Sequence, residues 1–165
     1  MKKLHHVLAV AAMLLLVVAL LITSFQLAIY GDPGYGFYER EYEKYHVAES
    51  LDMEMGDVMD VTEKMMDYLI GKRPELSVIT DVDGQTQDFF NEQDRLHMAD
   101  VKNLFLGGLT LRWVLLAAAA VLIALLVLLK GDWRRIIPRA YFIALGIFLA
   151  VAVLLGALFG SDFTK

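Results

Sequence analysis

The residue types best able to do chemistry meet in residues 91–102, where one histidine stands among acidic and basic side chains. Asp94 and Asp100 lie three residues before and after His97, a spacing that puts the three side chains on one face or on adjacent faces of a helix. A neighbouring carboxylate can orient an imidazole and raise its basicity, as a general base requires. The spacing makes His97 a candidate general base, and an exposed or ion-paired histidine is the alternative interpretation.

Other reactive centres have weaker support in the sequence. His46 can meet His97 in the folded protein, but no H-E-x-x-H motif accompanies the pair, so a metal site is not predicted. The sequence has no cysteine, which excludes a thiol nucleophile and a disulfide framework. It also contains no G-x-S-x-G motif, no P-loop and no G-x-G-x-x-G motif, which argues against hydrolase and nucleotide-driven chemistry. We therefore expect no metal, no cofactor and no nucleotide.

The composition places these residues in a membrane protein. Of the 165 residues, 58% are hydrophobic and 21% are charged, and the apolar residues are grouped in blocks. Three blocks, residues 7–29, 109–129 and 140–159, reach the roughly 20 residues that a bilayer-spanning helix needs. The first block is too long for a signal peptide and lacks a following A-x-A site, so we expect an uncleaved anchor. The net charge of -5 argues against a nucleic-acid partner.

The cations predict how these spans are oriented, because short cytoplasmic segments are enriched in Lys and Arg. They precede the first span and fill the connection between the second and third: Lys2, Lys3, Lys130, Arg134, Arg135 and Arg139. Residues 30–108, with 18 acidic and 7 basic residues, are then extracytoplasmic. The predicted parts are an anchor with a cytoplasmic amino terminus (1–29), the extracytoplasmic segment (30–108), and a transmembrane hairpin with a short outer carboxyl end (109–165).

The extracytoplasmic segment is predicted to be mostly helical. Apolar residues at spacings near three and four indicate one helix over residues 39–70, ended by Gly71. Its methionines are expected to fill a core or to contact the membrane surface, and residues 76–87 have the pattern of a short hairpin. The predicted fold class is an all-α integral membrane protein, with three transmembrane helices and a mostly helical outer segment between the first and the second.

A second outer helix, residues 91–105, is predicted to carry His97. Asp88 or Asn91 can cap its start. The helix has an apolar side, which suggests that it lies in the outer membrane interface after an aromatic lead-in. Gly107-Gly108 is expected to turn the chain down into the second span. The apolar side and the lead-in consist of Leu96, Val101, Leu104, Phe105, Phe89 and Phe90.

The sequence around His97 resembles that of a known family. The motif is Phe89-Phe90-Asn91-Glu92, then Arg95, His97-Met98 and Asp100-Val101-Lys102. This motif, with the order of anchor, outer segment and paired spans, is similar to the bacterial lipoprotein intramolecular transacylases. The resemblance implies a membrane acyltransferase that moves the sn-2 acyl chain of a diacylglyceryl-cysteine lipoprotein onto the α-amino group of that cysteine, leaving a lyso-form lipoprotein. It implies diacylated lipoproteins and membrane lipid as partners in the bacterial cell membrane, without nucleic acid, nucleotide or cofactor.

The resemblance also implies roles for the charged residues. His97 is the implied catalytic residue, with a carboxylate three residues away holding its tautomer. The cationic and amide side chains can supply charge or hydrogen bonds to the oxyanion or to glycerol oxygens, and a surface salt bridge is the alternative role for each. The residues implied to support catalysis or to bind substrate are Asn91, Glu92, Asp94, Arg95, Asp100 and Lys102.

One departure from the family concerns the carboxyl end. The resemblance implies a further histidine in an outer loop and a fourth span, and neither occurs in the residues up to Lys165. We therefore expect either a fragment of a longer chain or a shortened relative with impaired activity. The alternative function is a non-catalytic anchored module that binds a partner, with glycines of the spans packing against other helices. A transporter subunit is less favoured, because the second and third spans are almost free of polar residues.

Overall fold

The computed structural model describes residues 2–82 and 84–160, which form six helices and one two-stranded sheet. The elements are α1 (Lys2–Tyr30), α2 (Gly36–Lys44), α3 (Val47–Ser50), α4 (Met55–Leu69), β1 (Ile79–Val82), β2 (Gln85–Asp88), α5 (Glu92–Leu128) and α6 (Trp133–Gly160). The described residues are 77% helical, which confirms the predicted fold class. The predicted outer carboxyl end, residues 161–165, lies outside the described residues, as does Asp83 of the hairpin turn.

Three helices are long and apolar enough to span a membrane: Lys3–Tyr30, Glu92–Leu128 and Trp133–Leu158. This confirms the three predicted spans. A helix satisfies its own backbone hydrogen bonds, which a bilayer core without water requires. Large apolar side chains stay exposed on these helices, including Phe142 at 70% and Val153 at 72%, as expected of surfaces that face lipid.

The described residues divide into two compact units. One comprises the residues up to Ser24 and those from Leu111 onward; the other, here called the central unit, is Phe25–Thr110. In the first unit small residues of α1 and α6 pack with one large side chain of α5, and such small residues let helices approach closely. The buried residues of this cluster are Ala9, Ala12, Met13, Leu126, Ala140 and Ala144.

The glycines suggested as packing positions do not pack within the described residues. A Cβ atom built on Gly107, Gly108, Gly146 or Gly156 meets nothing within 4 Å, apart from its neighbours and its own helix backbone. The close contacts in the first unit are instead made by alanines. The four glycines therefore leave those helix faces open.

The central unit has its own apolar core, in which α4 contributes most of the buried side chains. The chain after α4 and before α5 adds the rest. The buried residues are Val61, Met66, Tyr68, Leu69, Leu76, Val78 and Phe90. Met53 and Met65 pack against this cluster, so the prediction that methionines fill a core is confirmed for three of them.

Aromatic contacts hold the end of α1 against other parts of the central unit. The ring of Phe105 lies 6.2 Å from that of Phe25 and 5.5 Å from that of Tyr30, measured between centroids. The Tyr30 hydroxyl donates a hydrogen bond to the Met66 carbonyl at 3.1 Å. Because aromatic pairs at such distances add to the free energy of burial, these rings fix the end of α1 relative to α4 and to the part of α5 that lies in the central unit.

The predicted hairpin is present, with its strands shifted along the chain. β1 pairs antiparallel with β2, and the register joins Ile79 to Asp88 and Val82 to Gln85. Gly84, with φ at 70°, supplies the left-handed conformation that the turn requires. The register places the last residue of β2, Asp88, beside the start of β1.

The prediction of one uninterrupted helix over residues 39–70 is wrong. The segment breaks into α2, α3 and α4. His46 and Asp52 stand between these helices with φ near 50°, and a residue in the left-handed region ends a right-handed helix. Apolar residues keep nearly the same spacing across the breaks, so the periodicity alone does not reveal them.

The predicted turn at Gly107-Gly108 is also wrong, because both glycines lie inside the continuous helix α5. The single apolar side expected for residues 91–105 is split as well. Val101 packs against the central core, whereas Leu96 and Leu104 are 66% and 79% exposed. At about 100° per residue, Leu96 and Val101 lie roughly 140° apart around the helix, so they cannot share one buried face.

We predict that Gly107→Ala and Gly108→Ala each stabilise the protein. Alanine favours a helix interior over glycine by about 1 kcal/mol, and the sites are open. Each variant should raise the Tm in detergent by about 2–4 °C. As a control, Gly71→Ala should lower it, since Gly71 has φ at 80°. A fall in Tm for the two helix variants would show that the chain needs flexibility there.

Candidate functional site

The site begins at the capped start of α5. The side-chain oxygen of Asn91 accepts a hydrogen bond from the Asp94 backbone N–H at 2.9 Å, and Asp94 Oδ2 accepts one from the Asn91 N–H at 3.1 Å. This reciprocal arrangement satisfies backbone donors that a helix start otherwise leaves unpaired. Of the two predicted caps, Asn91 is the one whose side chain accepts a hydrogen bond from a backbone N–H of the helix. The capping box fixes the first turn of α5, one turn before His97.

The carboxylate of Asp88 joins three segments at this point. Its Oδ2 accepts hydrogen bonds from the Ser77 hydroxyl at 2.6 Å and from Arg95 Nη1 at 3.1 Å. Its Oδ1 accepts from the backbone N–H groups of Val78 at 3.2 Å and Phe90 at 3.1 Å. One side chain therefore connects the chain before β1, the chain before α5, and α5 itself.

These contacts make the ionised form of Asp88 the favoured one. Burial alone would raise the pKa of the Asp88 carboxyl. The hydrogen bonds from Ser77, Phe90 and Val78, with the positive charge of Arg95, outweigh it and hold the pKa below its ordinary value. Asp88 therefore stays negatively charged at neutral pH and can anchor Arg95.

His97 lies in a depression next to this anchor. The depression has a volume of about 240 Å³ and is lined by His97, Asp94, Met98, Phe89 and Phe90. The His97 side chain is exposed, and within the described residues it makes no hydrogen bond or ion pair. Asp94 lines the same depression, while Asp100 is exposed and does not. An imidazole, a carboxylate and two aromatic rings thus face one small space that is open to a ligand.

Lys102 lies apart from this depression and has a structural connection. Its Nζ donates a hydrogen bond to the Arg73 carbonyl at 2.9 Å and sits 3.9 Å from the centre of the Tyr68 ring. The Arg73 guanidinium donates in turn to the Ser77 carbonyl at 3.2 Å. These contacts join α5 to the end of α4 and to the chain that leads into the hairpin.

The structure therefore divides the seven predicted site residues into three groups. Asn91, Asp94 and His97 lie together at the start of α5. The two cations of the second group have structural partners: Arg95 forms an ion pair with Asp88, and Lys102 donates a hydrogen bond to the Arg73 carbonyl. The remaining two, Glu92 and Asp100, are exposed, and neither has a hydrogen bond or ion pair within the part of the chain that the structure describes.

His46 does not join His97. It is exposed, and its Nδ1 lies 3.4 Å from a carboxylate oxygen of Glu49. Among the described residues, no group of three or more His, Cys, Asp or Glu side chains could hold a metal ion. The geometry provides a histidine and carboxylate site without a second imidazole from this region.

Sequence reasoning missed the residues that position the site from a distance, namely Ser77, Arg73 and Tyr68. Ser77 and Asp88 are eleven positions apart, and only the hairpin register brings them together. The one available signal was the hairpin pattern itself, because the pairing of Ile79 with Asp88 puts the residues preceding β1 beside the end of β2. The contacts of Lys102 depend on the fold after α4, which no local pattern encodes.

Comparison with models of known protein families identifies a match. A family model described as lipoprotein intramolecular transacylase Lit matches residues 10–165, nearly the whole chain. The search of curated proteins and the search of solved structures found no match to the chain.

Removal of the Asp88 carboxylate should destabilise the central unit. Asp88→Ala leaves the N–H groups of Val78 and Phe90 without an acceptor, at a cost of about 2 kcal/mol, and should lower the Tm by about 5 °C. The control Asp81→Ala, an exposed position on β1, should leave the Tm unchanged. Equal Tm values for both variants would contradict the anchoring role.

The contribution of Asp88 should also depend on pH. Since its pKa is lowered in the folded state, the stabilisation is complete above the unfolded pKa of about 3.9 and is lost as the pH falls through the folded pKa. The Tm difference between wild type and Asp88→Asn should therefore be constant near neutral pH and shrink below about pH 4. A difference that grows in acid would refute this assignment.

The capping box predicts a non-additive pair of variants. Asn91→Ala and Asp94→Ala should each cost about 1 kcal/mol. Each variant removes one of the two bonds. The double variant should cost less than the sum, because both bonds hold the same first turn of α5 and the loss of either one already loosens it. Thermal unfolding of the three variants measures this, with Asp100→Ala as an exposed control on the same helix. Strict additivity would argue against a capping box.

Proposed function

Because the chain belongs to the lipoprotein intramolecular transacylase family, we propose that it moves the sn-2 acyl chain of a diacylglyceryl-modified N-terminal cysteine onto the α-amino group of that cysteine. The product is a lyso-form lipoprotein with an N-acyl group. The substrates are diacylated lipoproteins of a bacterial cell membrane. The observation that carries the proposal is the exposed His97 in a depression that it shares with the Asp94 carboxylate.

The proposed reaction exchanges one acyl bond for another without oxidation or reduction. The neutral α-amine attacks the sn-2 ester carbonyl carbon, a C–N bond forms, and the C–O bond to glycerol breaks. The nitrogen loses a proton and the glycerol oxygen gains one. His97 takes the proton from the nitrogen as general base and returns it to the leaving oxygen as general acid. Both partners belong to one lipid, so binding a single molecule aligns the reacting groups.

Two side chains at the start of α5 are proposed to stabilise the developing negative charge. The oxygen of Asn91 is engaged in the capping box, which leaves its NH₂ group as a donor. Arg95 uses Nη1 for Asp88 and retains further N–H donors and its charge. Donors held in place before the reaction stabilise an oxyanion without reorganising during it.

We propose a membrane orientation that suits this chemistry. The cations before the first span and between α5 and α6 favour a cytoplasmic position for those segments. The amino terminus is then cytoplasmic and residues 30–108 are extracytoplasmic, with His97 on the outer side. Lipidated cysteines of exported lipoproteins are available on that side.

His97→Ala should abolish formation of the lyso-form lipoprotein without preventing membrane insertion. The loss of general acid–base catalysis typically costs a factor of about 10²–10⁴. Mass spectrometry of the N-terminal peptide of a co-expressed diacylated lipoprotein detects the shifted acyl chain. The matched control is His46→Ala, an exposed histidine of the same unit outside the depression, which should retain activity. Unchanged product from His97→Ala would overturn the catalytic role, and no product from wild type would favour the non-catalytic module.

A further inference from the structure

The wall formed by Phe89 and Phe90 separates the His97 depression from a second cavity in the central unit. That cavity has a volume of about 150 Å³. Side chains of α3, α4 and the residue after α3 line its far side, among them Val47, Leu51 and Met65. The two spaces therefore share the same aromatic wall, with the candidate general base on one side and an apolar chamber on the other.

The chamber suits an aliphatic ligand. Its volume is close to that of an apolar cavity that accepts a benzene-sized hydrocarbon. The hydroxyls in its lining satisfy each other: Thr62 Oγ1 donates to the Val58 carbonyl at 2.8 Å and is hydrogen-bonded to the Tyr42 hydroxyl at 3.2 Å. The hydroxyls of the lining therefore offer a polar ligand no unpaired group, and a polar ligand would lose its hydrogen bonds to water without gaining others in the chamber.

We propose that this chamber receives a short segment of the sn-2 acyl chain, of about the six carbons that a benzene-sized space holds, while its ester carbonyl lies beside His97. The proposal rests on the proposed transacylase function and assigns the acyl-chain subsite within it. The chamber and the His97 depression share Phe89 and Phe90 in their linings, and the family acts on lipoproteins. A chain that begins at His97 and passes Phe89 enters a space lined mainly by apolar side chains.

Phe89 is the part of the wall that can open. Phe90 is 6% exposed and belongs to the central core, whereas Phe89 is half-buried. The rings are 5.0 Å apart between centroids and nearly perpendicular. The Phe89 backbone N–H is bonded to the Val78 carbonyl at 2.9 Å, so only its side chain needs to rotate. Such rotamer changes are fast compared with turnover.

The subsite predicts a dependence on acyl-chain length. Acyl chains are already in an apolar medium in the bilayer, so the chamber gains little from hydrophobic transfer. Its selectivity comes from space: a long chain needs the chamber, and a short chain does not reach it. Filling the chamber should therefore impair long-chain substrates and spare short-chain ones.

Leu51→Phe tests this, since Leu51 is 36% exposed at the chamber and the added ring can enter it. The full chain in liposomes is supplied with synthetic diacylglyceryl lipopeptides carrying either a palmitoyl or a butyryl group at sn-2. A long chain that loses its place in the chamber shifts the ester away from His97, and a shift of about 1 Å can cost a factor of about 100 in rate. We therefore expect kcat/KM to fall about tenfold or more for palmitoyl and less than about twofold for butyryl. The matched control is Leu104→Phe on an exposed face of α5, which should change neither rate.

An equal loss for both chain lengths, or no loss for either, would overturn the subsite. A second measurement needs no turnover: the His97→Ala protein binds a lipopeptide whose sn-2 chain ends in a photoreactive diazirine. Cross-links within residues 47–65 support the proposal, and cross-links confined to α1, α6 or the apolar end of α5 overturn it. Cross-links in residues 47–65 combined with a wild-type enzyme that makes no lyso-form product would refute the proposed reaction and leave acyl binding standing.

Discussion

The geometry of the site depends on one carboxylate. Asp88 accepts four hydrogen bonds, two from side chains and two from backbone N–H groups, and so ties the hairpin to the start of α5. Residues 89 and 90, which form the wall of the His97 depression, stand between this anchor and the capping box of Asn91 and Asp94. Each hydrogen bond alone contributes little to the free energy of folding, but together they hold the segment before His97 in one conformation. The position of His97 is thus set by contacts of neighbouring residues, and His97 itself takes no part in them.

The two compact units are stabilised by different means. In the membrane-spanning helices apolar side chains gain little from leaving lipid, so helices associate through close van der Waals contact; the buried alanines of α1 and α6 provide it. The central unit instead buries Met66 and aromatic rings, with further methionines packed against them, and Lys102 lies over the Tyr68 ring. An adaptable methionine-rich core tolerates a small apolar chamber beside the site.

Much of this arrangement could be predicted from the sequence, because its signals are local. The three spans follow from length and hydropathy, the hairpin from its turn residues, and the cap from Asn91 followed by Asp94. The breaks at His46 and Asp52 could not be predicted, since the apolar spacing continues across them, and Gly107-Gly108 was misread because glycine weakens a helix without ending it. The partners of Asp88, Arg95 and Lys102 depend on register and tertiary contact. Local patterns thus led to His97 as the proposed general base but not to the residues that position it.

The capping box also bears on how Asp94 can assist His97 in the proposed reaction. Only one of its oxygens accepts the Asn91 N–H, so the other remains available within the shared depression. Because the capping box already holds the Asp94 carboxylate in place, its side chain loses little further conformational entropy when the imidazole becomes charged. Its negative charge then favours the imidazolium formed after proton transfer. A carboxylate on a mobile side chain would lose conformational entropy when the imidazole becomes charged. Asp100 has no hydrogen bond within the described residues that would hold it in place beforehand, so its use would include this entropy loss. The hydrogen bond between the Asn91 N–H and Asp94 therefore also holds a negative charge near the proposed general base.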